Sequence, residues 1–401
     1  MTRNGGFSMV ELVVAMAVLL AVIASLFAVL GPNDSAFAVQ LEAADMQQRL
    51  RVVADTFYRD LVMAGAGMSQ GTSSGSLAYY FAPVLPYRHA SGDDDPPGTF
   101  TNERITLMYV PATAAQTTLA TSGPGAGTGS VGVAAGAGCP AGDPSCGFTR
   151  GTTALLYDSS GLYDTFAVES VQSSTLTLRH TGDRVTYANY QAHSTNLTQF
   201  TNAVYYLKRD PATGIGQLMF SDGGLGADVP VVDHVAAITF AYYGDPQPPR
   251  LTGAPLGGLA GPWTTYGPPP PELGRQIPSG GYPTGENCTF AVDPATGEHV
   301  PRLAILGGGP LIQLTASQLD GSDGGPWCPD AANPNRWDAD LLRIRAVDVT
   351  VRVEAADAAL RGPASLLFTH GGTSTNGHRW LPDQEIRFQV APRNLRLGRR
   401  P

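Results

Sequence analysis

Phe7 to Leu30 is a run of 24 residues interrupted only by Ser8, Glu11 and Ser25. As a helix it would measure about 36 Å, long enough to cross a bilayer. An ionised carboxylate at mid-membrane costs roughly 2.5–3.5 kcal/mol on insertion scales. Glu11 therefore needs a compensating partner, and three readings compete for the run. A cleaved secretory signal would use Ala36-Phe37-Ala38 as its cleavage pattern, but the run is longer than the usual apolar region of a signal and contains an acid. A plain membrane anchor leaves Glu11 unexplained. In the third reading Glu11 is the functional residue, and the group that compensates its charge is the function. Its carboxylate would also face the positive end of the helix dipole.

Gly31-Pro32 follows and is expected to kink or locally unwind the helix. Asn33, Asp34 and Ser35 are suited to capping a restart. The next apolar positions are Phe37, Leu41, Ala44, Leu50, Val53, Phe57, Leu61 and Ala64. They are spaced by three or four, except for one gap of six after Ala44 that Met46 partly fills. The pattern predicts an amphipathic helix of about eight turns, its apolar stripe packed on a β-sheet of the same chain. Gln40, Glu42, Asp45, Gln47, Gln48, Arg51 and Asp55 cover the other faces. The first part of the chain thus reads as a core helix at 7–31 and an amphipathic continuation at 32–68.

From Ser69 onward the helical period gives way to alternation. Strands are expected at 105–110, 165–171, 175–179, 203–207, 217–220, 235–243, 303–306, 344–354 and 385–391. Val347, Val349, Val351 and Val353 share one face, as do Ile386, Phe388 and Val390, which is the signature of half-buried antiparallel strands. Asp-Pro-Ala-Thr-Gly occurs at 210–214 and again at 293–297, and it suits a tight hairpin turn. The fold class is α+β: a long amino-terminal helix packed on a β-rich antiparallel domain at 69–401. Gly (48) and Pro (32) are abundant, and three stretches read as insertions too polar or too broken for core strands: 111–151, 244–285 and 319–337.

Two of those insertions hold cysteines. An even set of four, Cys139, Cys146, Cys288 and Cys328, behind an export segment suggests two disulfides in an oxidising compartment. The pairs Cys139–Cys146 and Cys288–Cys328 each close a Gly/Pro-rich loop, contributing about 2.5 and about 4 kcal/mol in the loop-entropy account. Free or metal-bound thiols are the alternative, although no spacing typical of zinc occurs.

Little in the chain points to catalysis, and no cofactor is expected. Gly71-Thr72-Ser73-Ser74-Gly75 fits the nucleophile-elbow pattern but follows a helix, where that motif requires a strand. The glycine-rich stretches 123–129 and 307–309 lack the Gly-Lys-Ser/Thr of a phosphate loop, and the only lysine, Lys208, precedes Arg209. The seven histidines show no ligand spacing. Asp93-Asp94-Asp95 and the group Asp320, Ser322, Asp323 offer hard oxygen ligands but do not fit a calcium-loop register; solvated loops are the simpler reading. A net charge of −9 argues against general affinity for nucleic acid or anionic lipid, and the basic tail from Arg393 reads as a frayed end.

Gly6-Phe7-Ser8-Met9-Val10-Glu11-Leu12 resembles the processing signal of type IV pilins and type II secretion pseudopilins. The resemblance implies a leader at 1–6, cleavage after Gly6 by prepilin peptidase, N-methylation of Phe7, and pairing of Glu11 with the amine of a neighbouring subunit. "RDLVMAGAGM" at 59–68, "AVYYLKRD" with the segments after it, and the closing "VAPRNL" are similar to minor pilins of the PilW type and to the related J-type pseudopilins. A minor pilin of this type is expected in the bacterial inner membrane, with a periplasmic carboxy-terminal domain, and in the pilus filament. Its implied partners are other minor and major pilins, the inner-membrane assembly platform and the lipid bilayer. A J-type pseudopilin, a tip adhesin or DNA-capturing pilin, and an anchored hydrolase are the rival readings.

Overall fold

A computed structural model describes residues 8–67, 71–72, 75–76, 82–88, 103–111, 116–124, 127–136, 139–157, 163–181, 190–210, 213–226, 228–247, 250–251, 290–301, 305–315, 318–319, 339–375, 379–396 and 399–400; for residues 27–36 it describes the backbone alone. The fold joins an amino-terminal apolar helix to a β-rich antiparallel domain, the α+β arrangement of a pilin-like chain. The chain divides into two compact units, Met1–Arg51 with Arg352–Glu385, and Val52–Val351 with Ile386–Pro401.

Helix α1 spans Met9–Met63 and continues through Gly31 and Pro32, so the expected unwinding is not seen as an interruption of the helix. The strands, in chain order, are β1 (Val84–Leu85), β2 (Arg104–Tyr109), β3 (Gln116–Thr118), β4 (Thr128–Gly132), β5 (Thr153–Tyr157), β6 (Tyr163–Gln172), β7 (Thr175–His180), β8 (Asn196–Gln199) and β9 (Thr201–Arg209). They continue with β10 (Gly216–Ser221), β11 (Val229–Asp233), β12 (Val235–Gly244), β13 (Phe290–Val292), β14 (His299–Pro301), β15 (Ile312–Leu314), β16 (Ile344–Val353) and β17 (Gln384–Val390). Eight of the nine expected strands are present within a residue or two at each end. At 303–306, residues 303 and 304 lie outside the described residues, and Ile305 and Leu306 are irregular, Ile305 being exposed.

In the larger unit a five-stranded sheet runs β11-β10-β9-β2-β1, and a four-stranded sheet runs β15-β12-β16-β17. The last turns of α1 pack onto both sheets. Phe57 lies 4.7 Å from the Tyr205 ring on β9 and 5.5 Å, edge-on, from Phe240 on β12. Asp60 is buried at the same level and accepts the hydroxyl hydrogen of Tyr205. The helix ends in Ala64-Gly65-Ala66-Gly67, where both glycines take left-handed backbone, φ +76° and +69°. That exit docks on the edge of β2: Gly65 N–H donates to the Met108 carbonyl at 2.9 Å, and Val110 N–H donates to that of Ala66 at 2.9 Å.

β2 and β9 are neighbours, with Tyr109 paired directly to Thr201. The segment between them leaves and returns at one point and builds a six-stranded sheet of its own, β3-β8-β5-β6-β7-β4. It has a separate core of Leu119, Val131, Leu156, Phe166, Leu178 and Leu197, among others. The expectation that 111–151 is too broken for core strands is therefore corrected, because β3 and β4 lie in it and Leu119, Val131 and Val133 are buried. Short strands that pair at a sheet edge need only one or two inward residues each, too few to register as alternation. Cys139 and Cys146 are bonded here. Asp143 holds their loop by accepting from Ser145 N–H at 2.8 Å, Ser145 Oγ at 2.6 Å and Gly147 N–H at 2.8 Å. These hydrogen bonds, that of the Ser145 hydroxyl first, keep its carboxyl below the ordinary range. Deeper in the module the buried Asp164 carboxylate accepts from Tyr190 and pairs with His180 at 3.1 Å.

Both Asp-Pro-Ala-Thr-Gly copies close hairpins, β9–β10 and β13–β14, with the glycines at φ +72° and +73° and the Gly N–H bonded to the Asp carbonyl in each. In the smaller unit the β16–β17 connection is clasped to α1. Glu42 accepts from Ala356 N–H at 2.5 Å, and Arg49 donates to the Glu354 carbonyl at 3.4 Å. Glu354 is itself buried between Arg361 and His370, at 2.9 and 2.8 Å.

Candidate functional site at the amino-terminal helix

The candidate site is assembled from local sequence. Ser8 precedes the helix and Glu11 stands in its first turn, giving the Ser-x-x-Glu order of a capping box. The Ser8 hydroxyl accepts from Val10 N–H at 3.3 Å, and the Glu11 carboxylate accepts from Ser8 N–H at 3.0 Å. Two of the otherwise unsatisfied amide donors of the helix start are thereby bonded. In the isolated chain Glu11 is thus held by the backbone, a role that a reading of its charge alone did not anticipate. The signal was present in the spacing of Ser8 and Glu11.

Beyond the cap, Met9–Leu26 is long and apolar enough to cross a membrane, and none of it is buried by the rest of the chain. Val10, Leu12, Val13, Leu19 and Leu20 all lie open, which in water would be strongly unfavourable. Among the described residues nothing covers this apolar face.

The stripe predicted at 37–64 divides in two. Met46, Leu50, Val53, Phe57, Leu61 and Ala64 are buried. Phe37 and Leu41 are 63% and 57% exposed, and Ala44 is exposed as well. The expectation that all of them pack on the sheet is corrected for these three. The gap of six residues after Ala44 marks where the apolar side of the helix changes face.

The structure bears unevenly on the remaining sequence candidates. Gly6 and Phe7, Cys288 and Cys328, Ser73, Asp93 to Asp95, and Asp320, Ser322 and Asp323 lie outside the described residues. Gly31 and Pro32 are helical in backbone. Among the described residues no group of His, Cys, Asp and Glu is arranged to hold a metal ion.

Comparison with known proteins adds one family: the prokaryotic N-terminal methylation motif matches residues 1–27. No curated relative matches the chain. Among solved structures the chain has a likeness to phage phi92 endosialidase, at 13% identity over 31% of this chain and 24% of that one, with a TM-score of 0.15. Nothing rests on a likeness at that score. The motif supports a type IV pilin-like protein anchored in a membrane by its apolar helix, and it implies processing by prepilin peptidase and assembly with other pilins.

Proposed function

We propose that the chain is a minor pilin of the PilW type, which co-assembles with other pilins to initiate or cap a type IV pilus. The observation that carries the reading is a wholly uncovered apolar helix whose single carboxylate, Glu11, is capped only by Ser8 N–H among the described residues. Prepilin peptidase cuts after Gly6, and the amine of Phe7 is methylated. The protein then waits in the inner membrane on the helix from Phe7 to Leu30, with its β-rich domain in the periplasm. During assembly the helix leaves lipid for neighbouring helices. There Glu11 exchanges a neutral amide donor for the cationic amine of an adjacent subunit, a charge-assisted bond in low dielectric. The chain catalyses no reaction in this account, and Gly31-Pro32 supplies the point at which the helix bends on packing.

Mass spectrometry of the mature amino-terminal peptide tests the processing, with N-methyl-Phe7 as the expected first residue. Glu11→Gln retains an oxygen acceptor for Ser8 N–H but loses the charge. It is expected to leave a processed, membrane-resident protein that does not enter filaments. Glu11→Ala loses the cap as well and fails in the same way. Co-purification of either variant with filaments at the wild-type level would overturn the assembly role. A J-type pseudopilin of type II secretion shares these features, and the genes adjoining this one separate the two machines.

A further inference from the structure

In the connection between β16 and β17, Leu366 is 93% exposed and Leu367 55%, at the tip of the tight turn 365–368. Turn tips favour polar residues and glycine. Neither leucine takes a positive φ, so the backbone does not call for a special residue there. The turn is also braced. Ser365 N–H donates to the Phe368 carbonyl at 2.9 Å, Phe368 N–H to that of Ser365 at 3.2 Å, and Leu367 N–H to the Ser365 hydroxyl at 3.2 Å. The Leu366 carbonyl accepts from Arg352, and that of Leu367 accepts from Asp383 N–H at 3.0 Å. The buried Asp383 carboxylate in turn holds Arg352 at 3.0 Å and accepts from the N–H and hydroxyl of Thr369 at 2.7 and 2.8 Å. Phe368, next to the tip, is buried edge-on to Trp380 at 5.7 Å.

Two leucines are thus held out from the body in a fixed geometry, so a partner orders little by binding them. A single exposed leucine is ordinary, but two at one turn, with Trp380 also 39% exposed, make a patch. The exposed residues 363–367, Pro-Ala-Ser-Leu-Leu, carry no charge. The hydrogen-bonding groups of the turn are largely satisfied by the chain itself, so the partner supplies apolar contact alone. Lipid does not meet the turn at this place. The connection joins α1 at Glu42 and Arg49, about 18 and about 28 Å along the axis from Leu30, beyond a headgroup layer of about 5–8 Å. It lies in the same compact unit as α1 up to Arg51, and in the assembly reading α1 is the element that brings another chain alongside. We infer that Leu366 and Leu367 form a knob that seats in an uncharged apolar pocket on the folded domain of a neighbouring pilin-type chain. The inference rests on the assembly reading. It adds a contact between bodies, separate from any packing of helices, and the chemistry of the receiving surface.

The test uses the full-length chain in its own assembling cells. A photo-crosslinking phenylalanine analogue at position 366 is expected to yield a covalent adduct with a second pilin-type chain. The adduct is expected to map to that chain's folded domain, outside about the first 25 mature residues that form an apolar span. Adducts confined to lipid, to this chain, to a partner's amino-terminal helix or to a protein of another kind overturn the inference, as does the absence of any adduct. In parallel, the Leu366→Ser, Leu367→Ser double variant is expected to melt in detergent as wild type does, because neither side chain is buried. It is expected to be processed and membrane-resident but to enter filaments about tenfold less, since two anchors of an apolar contact are lost. Val229→Ser removes another apolar side chain, 56% exposed, and as the control is expected to assemble normally. Normal incorporation of the double variant overturns the knob and leaves the pilin reading intact. Reduced incorporation with a lowered melting midpoint overturns it too, since the leucines then act through the fold. Failure of the wild-type chain to be cut after Gly6 or to co-purify with filaments would remove the pilin reading itself.

Discussion

Asp60 takes its hydrogen-bond donor from Tyr205, 145 residues further along the chain. Both residues are buried, and Arg59 reaches the other carboxylate oxygen at 3.5 Å from an exposed position. Tyr205→Phe leaves a buried carboxylate oxygen without its hydroxyl, which costs about 1–3 kcal/mol. A lower urea midpoint for the full chain in detergent is the expected result, with Asp60→Asn milder because an amide oxygen still accepts. The same pair sets an alkaline limit. Burial first, and then the charge of Asp60, raise the Tyr205 hydroxyl far above the ordinary 10.0. Tyr109 moves the same way for the same causes, and Tyr242 by burial alone. The unfolded chain releases these protons as pH passes 10.0 and the folded chain does not, so their contribution is complete below that value and declines above it. Unfolding midpoints are expected to fall above pH 10, with the share of tyrosinate absorbance that belongs to Tyr109, Tyr205 and Tyr242 appearing only on unfolding. The sequence reading placed Asp60 and the tyrosine-rich strand in separate motifs. Nothing local shows that one tyrosine of Tyr205-Tyr206 turns inward to the helix while the other, Tyr206, bonds Asp228.

Among the elements, α1 was the most legible, because its period repeats over many turns. Its end was legible as Ala-Gly repeats, but their purpose was not. A Cβ on Gly67 would stand 2.4 Å from the Val110 carbonyl oxygen, in backbone already left-handed at φ +69°. Gly67→Ala is therefore expected to destabilise by more than the about 1–3 kcal/mol of a strained residue alone. Gly142, at φ +78° with nothing within 4 Å of a Cβ, isolates the conformational part when changed to Ala. A thermal melt in which Gly67→Ala and Gly142→Ala shift equally would contradict the steric account. The two Asp-Pro-Ala-Thr-Gly turns were read correctly because four bonded neighbours and one positive φ are a local matter. The change of face at Ala44 was visible as a gap of six, yet periodicity locates apolar positions without saying what covers them.

At the scale of the whole molecule, β-strands far apart in sequence bring together the ends of long excursions. The segment after Pro246 returns at Leu306, whose N–H donates to the Pro246 carbonyl at 2.9 Å. Buried Arg343 donates to the same carbonyl at 2.9 Å, and Arg345 holds Asp245 at 2.6 Å. The base of this excursion is thus fixed by residues outside it. Replacing residues 247–305 by a short turn, with Cys328→Ser to avoid an unpaired thiol, is expected to leave the β-domain folded. Loop closure by itself favours the shorter chain by about 1–2 kcal/mol. Loss of the cooperative melt of the full chain would show that the excursion supplies core. The same logic applies at Tyr109 and Thr201, where the six-stranded module departs and rejoins.

Local pattern was sufficient for the existence of the long helix, its apolar span with one acid, most strands, both hairpin turns and the Cys139–Cys146 pairing, because each depends on residues within a few positions of one another. Tertiary structure alone decided which side of α1 stays bare between Phe37 and Ala44, that β3 and β4 join a second core, and that Asp60 meets Tyr205. Those outcomes depend on contacts between distant parts of the chain, and a one-dimensional period carries no information about which distant surface arrives to cover a given face.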